Sequence, residues 1–372
     1  MLQRQRLKGL SMALALALVV AACGGDDDDD ATTGGDGGGG GEEEATSDFS
    51  ACQVTDTGGV DDASFNETAY AGLQEAADEV GFEPDFLESE TESDYAANIQ
   101  TFIDDGCDLI VTIGFLLGGA TATAATDNPD QNFAVVDYDF SVDAGDPEDE
   151  FPNVAELTFS TDQAAFLAGY VAAGTTETGT VGTYGGINIP TVTIFMNGFQ
   201  AGVEFYNEEN GTEVELIGWD AADPDGGLFT GDFEDQAKGR STTEQLLDDG
   251  ADIIMPVAGP VGLGSIQAID AAGGDAKLIW VDTDGCVSVE ESCSLFLTSV
   301  MKNMDVAVRD TILAAADDNF PAGLYTGTLE NDGVGIAPFH EFEDSVPQEV
   351  KDRVEELRQE IIDGEVETLP AS

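Results

Sequence analysis

Asp56, Asp137 and Asp282 each close a short apolar run that reads as a β-strand, so all three fall at carboxyl ends of strands. Open parallel sheets bind ligands there, and a carboxylate at that place can accept two hydrogen bonds from a vicinal diol such as ribose. Capping of the following helix is the other role open to each. Phe65, Phe115 and Phe199 lie at or near strand-to-helix turns, where a ring can stack on a flat ligand or pack into the core. Lys302, next to the strand containing Thr298 and Ser299, stands out in a chain with only 11 Lys plus Arg, and either a polar anchor for a ligand or a surface charge is open to it.

Other chemistries lack their residues. The single histidine, His340, sits beside Phe339 and close to Phe342, a poor setting for a catalytic triad. No helix pairs histidines and the cysteines lack zinc spacing. A Walker motif is missing, and Gly259-Pro260-Val261-Gly262-Leu263-Gly264 departs from the dinucleotide-binding order. The acidic runs at Asp223-Pro224-Asp225-Gly226 and Asp282-Thr283-Asp284-Gly285 have Ala221 and Trp280 where a calcium loop would begin with an acid. Neither catalytic residues, nor a metal, nor a cofactor are expected.

The elements that position these residues alternate between short β-branched runs and longer amphipathic ones, the signature of an α/β protein with parallel sheets. Strands are expected at Cys52–Thr55, Phe86–Glu88, Leu109–Ile113 and Phe133–Asp137, with helices at Ser64–Val80, Tyr95–Asp104 and Leu117–Thr126. The rhythm restarts at Ala155–Phe159. Helices follow at Gln163–Ala173, Val192–Glu208, Phe233–Asp248 and Gly262–Ala271, with strands at Thr180–Thr183, Val214–Trp219, Ile253–Val257 and Lys277–Asp282. Phe296–Val300, a helix over Asp305–Ala316, a closing hairpin of Thr326–Leu329 with Val334–Ala337 and a charged helix over Pro347–Asp363 complete the chain. Two doubly wound lobes result. Lobe 1 is expected over 48–158 and about 284–321, lobe 2 over 159–283 and about 322–345, and a C-terminal helix and tail over 346–372.

The chain of 372 residues carries 76 Asp plus Glu and a net charge of −65, which argues against nucleic acid and against adsorption to anionic lipid headgroups. Such a surface repels itself at low ionic strength, so salt should stabilise it. Residues 1–22 read as a signal peptide: Arg4, Arg6 and Lys8 precede an apolar run too short to span a bilayer comfortably. The run ends in Val20-Ala21-Ala22-Cys23-Gly24, which looks like a bacterial lipobox and makes Cys23 the lipidation site. Residues 23–47, rich in Asp, Gly and Glu, then form a solvated tether on the extracytoplasmic face of the membrane. Export makes disulfides reasonable among the other four cysteines. Cys286 with Cys293 is the local pair, and Cys52 can meet Cys107 if their strands are parallel neighbours.

The segment Thr55-Asp56-Thr57-Gly58-Gly59-Val60-Asp61-Asp62-Ala63-Ser64-Phe65-Asn66 resembles the opening motif of the basic membrane protein family of substrate-binding lipoproteins, which includes the purine nucleoside receptor lipoproteins. The likeness continues through Gly114-Phe115, Val135-Val136-Asp137, Gly198-Phe199-Gln200-Ala201-Gly202, Ala258-Gly259-Pro260-Val261-Gly262, Val281-Asp282-Thr283-Asp284 and Thr298-Ser299-Val300-Met301-Lys302. It spans about residues 50 to 340. The resemblance implies a type I periplasmic-binding-protein fold, two lobes joined by a multi-crossover hinge, delivering a nucleoside, purine by preference, to an ABC permease. It further implies a base sandwiched by Phe65 and Phe199 with Asn66 and Asp137 beside it, polar clamps at Asp56 and Asp282, and Lys302 near the ribose. Phe115 and Gly259 fall in matching motifs at the same strand ends. A surface sensor of the same fold and a binding protein for another small molecule are the competing readings. A monomer is expected, since hinge closure needs no partner subunit.

Overall fold

In the computed structural model, which describes residues 47–141 and 151–370, the β-branched runs pair into two six-stranded sheets. The first holds Ala51–Val54 (β1), Asp85–Leu87 (β2), Leu109–Ile113 (β3), Asn132–Val136 (β4), Val154–Phe159 (β5) and Gly323–Gly327 (β11), ordered β11-β5-β4-β3-β1-β2 and parallel throughout. The second holds Thr180–Gly185 (β6), Glu215–Ile217 (β7), Ile253–Val257 (β8), Lys277–Asp282 (β9), Phe296–Lys302 (β10) and Val334–Ile336 (β12), ordered β12-β10-β9-β8-β6-β7. Only β12 is antiparallel. Strands β3 and β8 are buried at every position, which requires cover on both faces of each sheet.

Helices supply that cover. In lobe 1 these are Phe65–Val80 (α1), Tyr95–Asp105 (α2), Gly118–Asp127 (α3) and Met304–Ala316 (α9). In lobe 2 they are Thr161–Thr175 (α4), Pro190–Asn210 (α5), Gln236–Asp248 (α6), Leu263–Ala272 (α7), the short Gly285–Ser288 (α8) and Gln348–Ile362 (α10). Helix α1 buries Ala69, Leu73, Ala76 and Ala77, the stripe that its 3.6-residue spacing predicts, and stops where Gly81 adopts a left-handed conformation. Helices α4 and α5 pack so closely that a Cβ on Gly202 would lie 2.0 Å from the Phe166 carbonyl oxygen.

The division into lobes differs from the expected one. Strand β10, within the stretch 284–321 expected in lobe 1, joins the lobe 2 sheet, and β11, within 322–345, joins the lobe 1 sheet. The expected closing hairpin is therefore absent: β11 and β12 belong to different sheets. The chain crosses between lobes at Ser160, at Asn303 and between β11 and β12. Local pattern reveals a strand but not its sheet, because both sheets are buried alike. Cys52 is bonded to Cys107 across the parallel neighbours β1 and β3, and Cys286 to Cys293 in the loop between β9 and β10. Cys23, the expected signal peptide and nearly all of the expected tether lie outside the described residues. Among those residues no helix is long and apolar enough to cross a membrane.

Candidate ligand-binding cleft between the lobes

A cleft with about 580 Å³ of empty space, counting the part open to solvent, lies where the carboxyl ends of both sheets meet. Lobe 1 furnishes Asp56 after β1, Phe65 and Asn66 from the first turn of α1, Phe115 after β3 and Asp137 after β4. Lobe 2 furnishes Phe195 from α5, Phe233, Gly259 after β8, Asp282 at the end of β9 and Lys302 at the end of β10. Asp137 and Asp282 both take left-handed backbone conformations, with φ of 68° and 71°. Asp tolerates that region better than most side chains, and the sharp turn aims each carboxylate off the strand end into the cleft.

Lys302 is the cation around which the site is built. Its Nζ donates to Asp137 Oδ2 at 2.5 Å across the lobes, both side chains being buried, and stands 4.9 Å from the centre of the Phe65 ring. Phe159 and Phe195 rings flank it at 5.5 and 5.6 Å. A buried lysine among rings needs an anion, and Asp137 supplies it. Asp282 accepts a hydrogen bond from the Ser64 hydroxyl at 2.7 Å.

Burial raises the carboxyls of both Asp137 and Asp282 above their ordinary range, and the charge of Lys302 opposes that rise in each. Asp282 is further raised by Asp137. Asp56, pushed up to about 6 by burial, accepts from the Tyr95 hydroxyl and the Thr57 amide. Asp62, raised by burial to about 7, accepts three backbone amides of the α1 entrance. Asn66 Oδ1 is buried with no hydrogen-bond partner. The cleft thus combines ring faces, carboxylate acceptors and one ammonium donor, a set suited to a flat, hydroxyl-bearing molecule.

Of the expected binding residues, Asp56, Phe65, Asn66, Phe115, Asp137, Gly259, Asp282 and Lys302 all line this cleft. Phe199 does not. It is fully buried in the core of lobe 2, its backbone against Gly169 of α4, so the expected sandwich of Phe65 with Phe199 is corrected. The glycines around it serve the contact of two helices. Phe195, one turn nearer the start of α5, faces the cleft instead, as does Phe233. Distance from the helix start was the missed signal: only the first two turns of α5 lie near the strand ends. Tyr95 and Ser64 were also unread, being partners of the acids Asp56 and Asp282 rather than residues at strand ends, as was Asp62, which lines the cleft from the turn before α1. Asp284, Cys286 and His340 converge, with His340 Nε2 2.7 Å from Asp284 Oδ2, but the Cys286 sulfur is already bonded to Cys293 and offers no thiolate.

Two lobes of mainly parallel sheet facing one cleft are the architecture of solute-binding proteins. Residues 49–370 match the family described as ABC transporter substrate-binding protein PnrA-like, and the chain belongs to that family. It is 32% identical over 374 residues to the CD4+ T-cell-stimulating antigen of Listeria monocytogenes, covering 96% of each chain. It is 30% identical over 342 residues to the ABC transporter nucleoside-binding protein BmpA of Lactococcus lactis, covering 87% of this chain and 90% of that one. An ABC transporter solute-binding protein of Aeropyrum pernix superposes with a TM-score of 0.76 at 26% identity, covering 87% of this chain and 94% of that chain. The chain is therefore a binding protein rather than an enzyme, with a small-molecule ligand and a membrane permease as its partners.

Proposed function

We propose that this chain captures a nucleoside in the interlobe cleft and delivers it to the permease of an ABC importer while anchored to the membrane by lipid on Cys23. The observation that carries the reading is the buried Lys302 beneath the Phe65 ring, with Asp137 and Asp282 beside it at equivalent strand ends. The rings of Phe65 and Phe195 offer faces to the base. Asp282 and Lys302 offer acceptor and donor to the ribose hydroxyls, and the spare acceptor of Asn66 suits a donor on the edge of a purine. The name of the Lactococcus lactis relative adds independent support for a nucleoside.

Phe65→Ala and Asp282→Ala are each expected to weaken guanosine binding at least tenfold, about 1.4 kcal/mol. Calorimetry that found both variants binding like the parent would refute the site. Loss of the permease gene should abolish nucleoside uptake with binding intact; unchanged uptake would favour a surface sensor. Lipidation is tested by fatty-acid labelling, which Cys23→Ser should eliminate.

A further inference from the structure

Ser64 holds the N-cap position of α1, where a serine hydroxyl ordinarily accepts a hydrogen bond from the first amides of its own helix. It makes no such bond. Asp62 takes that role: its carboxylate accepts from the backbone amides of Ser64, Asn66 and Glu67 at 3.0, 2.9 and 3.1 Å. Between them Ala63 is left-handed, with φ of 55°, and its amide donates to Glu67 Oε2 at 2.9 Å. That turn leaves the fully buried Ser64 hydroxyl available to the opposite lobe. There it donates to Asp282 Oδ2, with the Val281 carbonyl oxygen a second acceptor at 3.3 Å. The return contact is made by Trp280, whose indole N–H donates to the Ala63 carbonyl at 3.2 Å.

We propose that Ser64 is a positioning residue: freed from helix capping by Asp62, its hydroxyl orients Asp282 across the cleft and ties that orientation to closure of the lobes. The Trp280–Ala63 hydrogen bond is the second strut of the same latch. Asp282 gains its Ser64 donor only when the lobes meet, so the latch acts on release of ligand more than on capture. A hydrogen bond to a buried carboxylate is strong enough to matter at this place. The effect on release rests on the nucleoside reading of the cleft, whereas the effect on closure does not.

The chain contains two tryptophans, and Trp219 bonds Asn197 within lobe 2, so its indole signal is an internal reference for that of Trp280. In ¹H–¹⁵N spectra of the full chain, Ser64→Ala should shift or broaden the Trp280 indole resonance while Trp219 stays fixed. Helix content should be unchanged, because Asp62 still caps α1, and Ser64→Thr should restore the resonance. Inosine should leave Ser64→Ala roughly tenfold faster, with association little changed. Trp280→Phe, which removes only the second strut, should speed release by a smaller factor. If Ser64→Ala instead melts α1 as a lost cap would, and leaves the Trp280 signal and inosine release unaltered, the proposal is overturned. If none of guanosine, adenosine, inosine and cytidine binds the parent, the nucleoside reading falls, and the Trp280 resonance still decides the latch.

Discussion

Asp137 and Asp282 end the third strand from the same edge of two sheets built in the same order, share a left-handed backbone and are equally buried. Their partners differ. Asp137 in lobe 1 takes a full positive charge from Lys302 of lobe 2, whereas Asp282 in lobe 2 takes a neutral hydroxyl from Ser64 of lobe 1. Each lobe thus supplies the carboxylate that the other lobe satisfies. Lys302, the one cation among the described residues lining the cleft, acts on both acids, which lets two like charges share one buried volume. The asymmetry leaves Asp282 the less completely neutralised acid and the better acceptor for a ligand hydroxyl.

The largest effect should come from removing the shared cation. Lys302→Met strands two buried carboxylates and should cost roughly 3–5 kcal/mol of stability near neutral pH, read from urea unfolding. Asp137→Asn should cost less, about 1–3 kcal/mol, because Lys302 keeps Asp282 nearby. Equal losses would mean that Lys302 serves Asp137 alone.

The two phenylalanines of α5 sharpen the contrast between cleft and core. Phe199→Ala should destabilise lobe 2 by about 3–5 kcal/mol, while nucleoside affinity stays near the parent value. Phe195→Ala should lower affinity roughly tenfold as well. A drop in affinity for Phe199→Ala, measured under conditions where the variant is folded, would return Phe199 to the site.

The paired strand-end glycines give a smaller effect. A Cβ on Gly114, at φ of 116°, would lie 2.5 Å from Asp56 Oδ2, whereas one on Gly259, at φ of 51°, meets nothing within 4 Å. Gly114→Ala should therefore lower both melting temperature and affinity, and Gly259→Ala should show only backbone strain of about 1 kcal/mol.

The acids of lobe 1 give an effect that shows only as pH is varied. Asp56 and Asp62 rise on folding from 3.8 to about 6 and about 7, so the folded state holds more protons than the unfolded one between those values. Their contribution to stability is present at low pH and is lost as pH rises from about 4 to about 7. Asp56→Asn should flatten that decline in melts taken at intervals of pH; an unchanged slope would mean that the Tyr95 hydroxyl and the Thr57 amide already hold Asp56 ionised.

Most strands and helices were legible because their signals are local. Leu109–Ile113 is a run of β-formers, Ile253–Val257 is a short buried run that is apolar throughout, and the α1 stripe has helical period. The strand-end acids were legible for the same reason, since Asp137 and Asp282 stop apolar runs. The crossovers were not: β10 and β11 look alike to either sheet, and which one they join depends on where α9 packs, against α1. Phe199 was misread because its motif glycines mark close helix packing as readily as a ligand. The Ser64–Asp282 contact joins residues 218 apart in the chain, a distance no pattern bridges.

The central claim is met most directly by titrating the chain from about Asp48 onward, in high salt, with guanosine, adenosine, inosine, cytidine and ribose by calorimetry. Submicromolar binding of a nucleoside, without release of free base and with weaker binding of ribose alone, is the predicted result. Heat-silent titrations for all five, with the protein folded, would contradict it and move the ligand to another class.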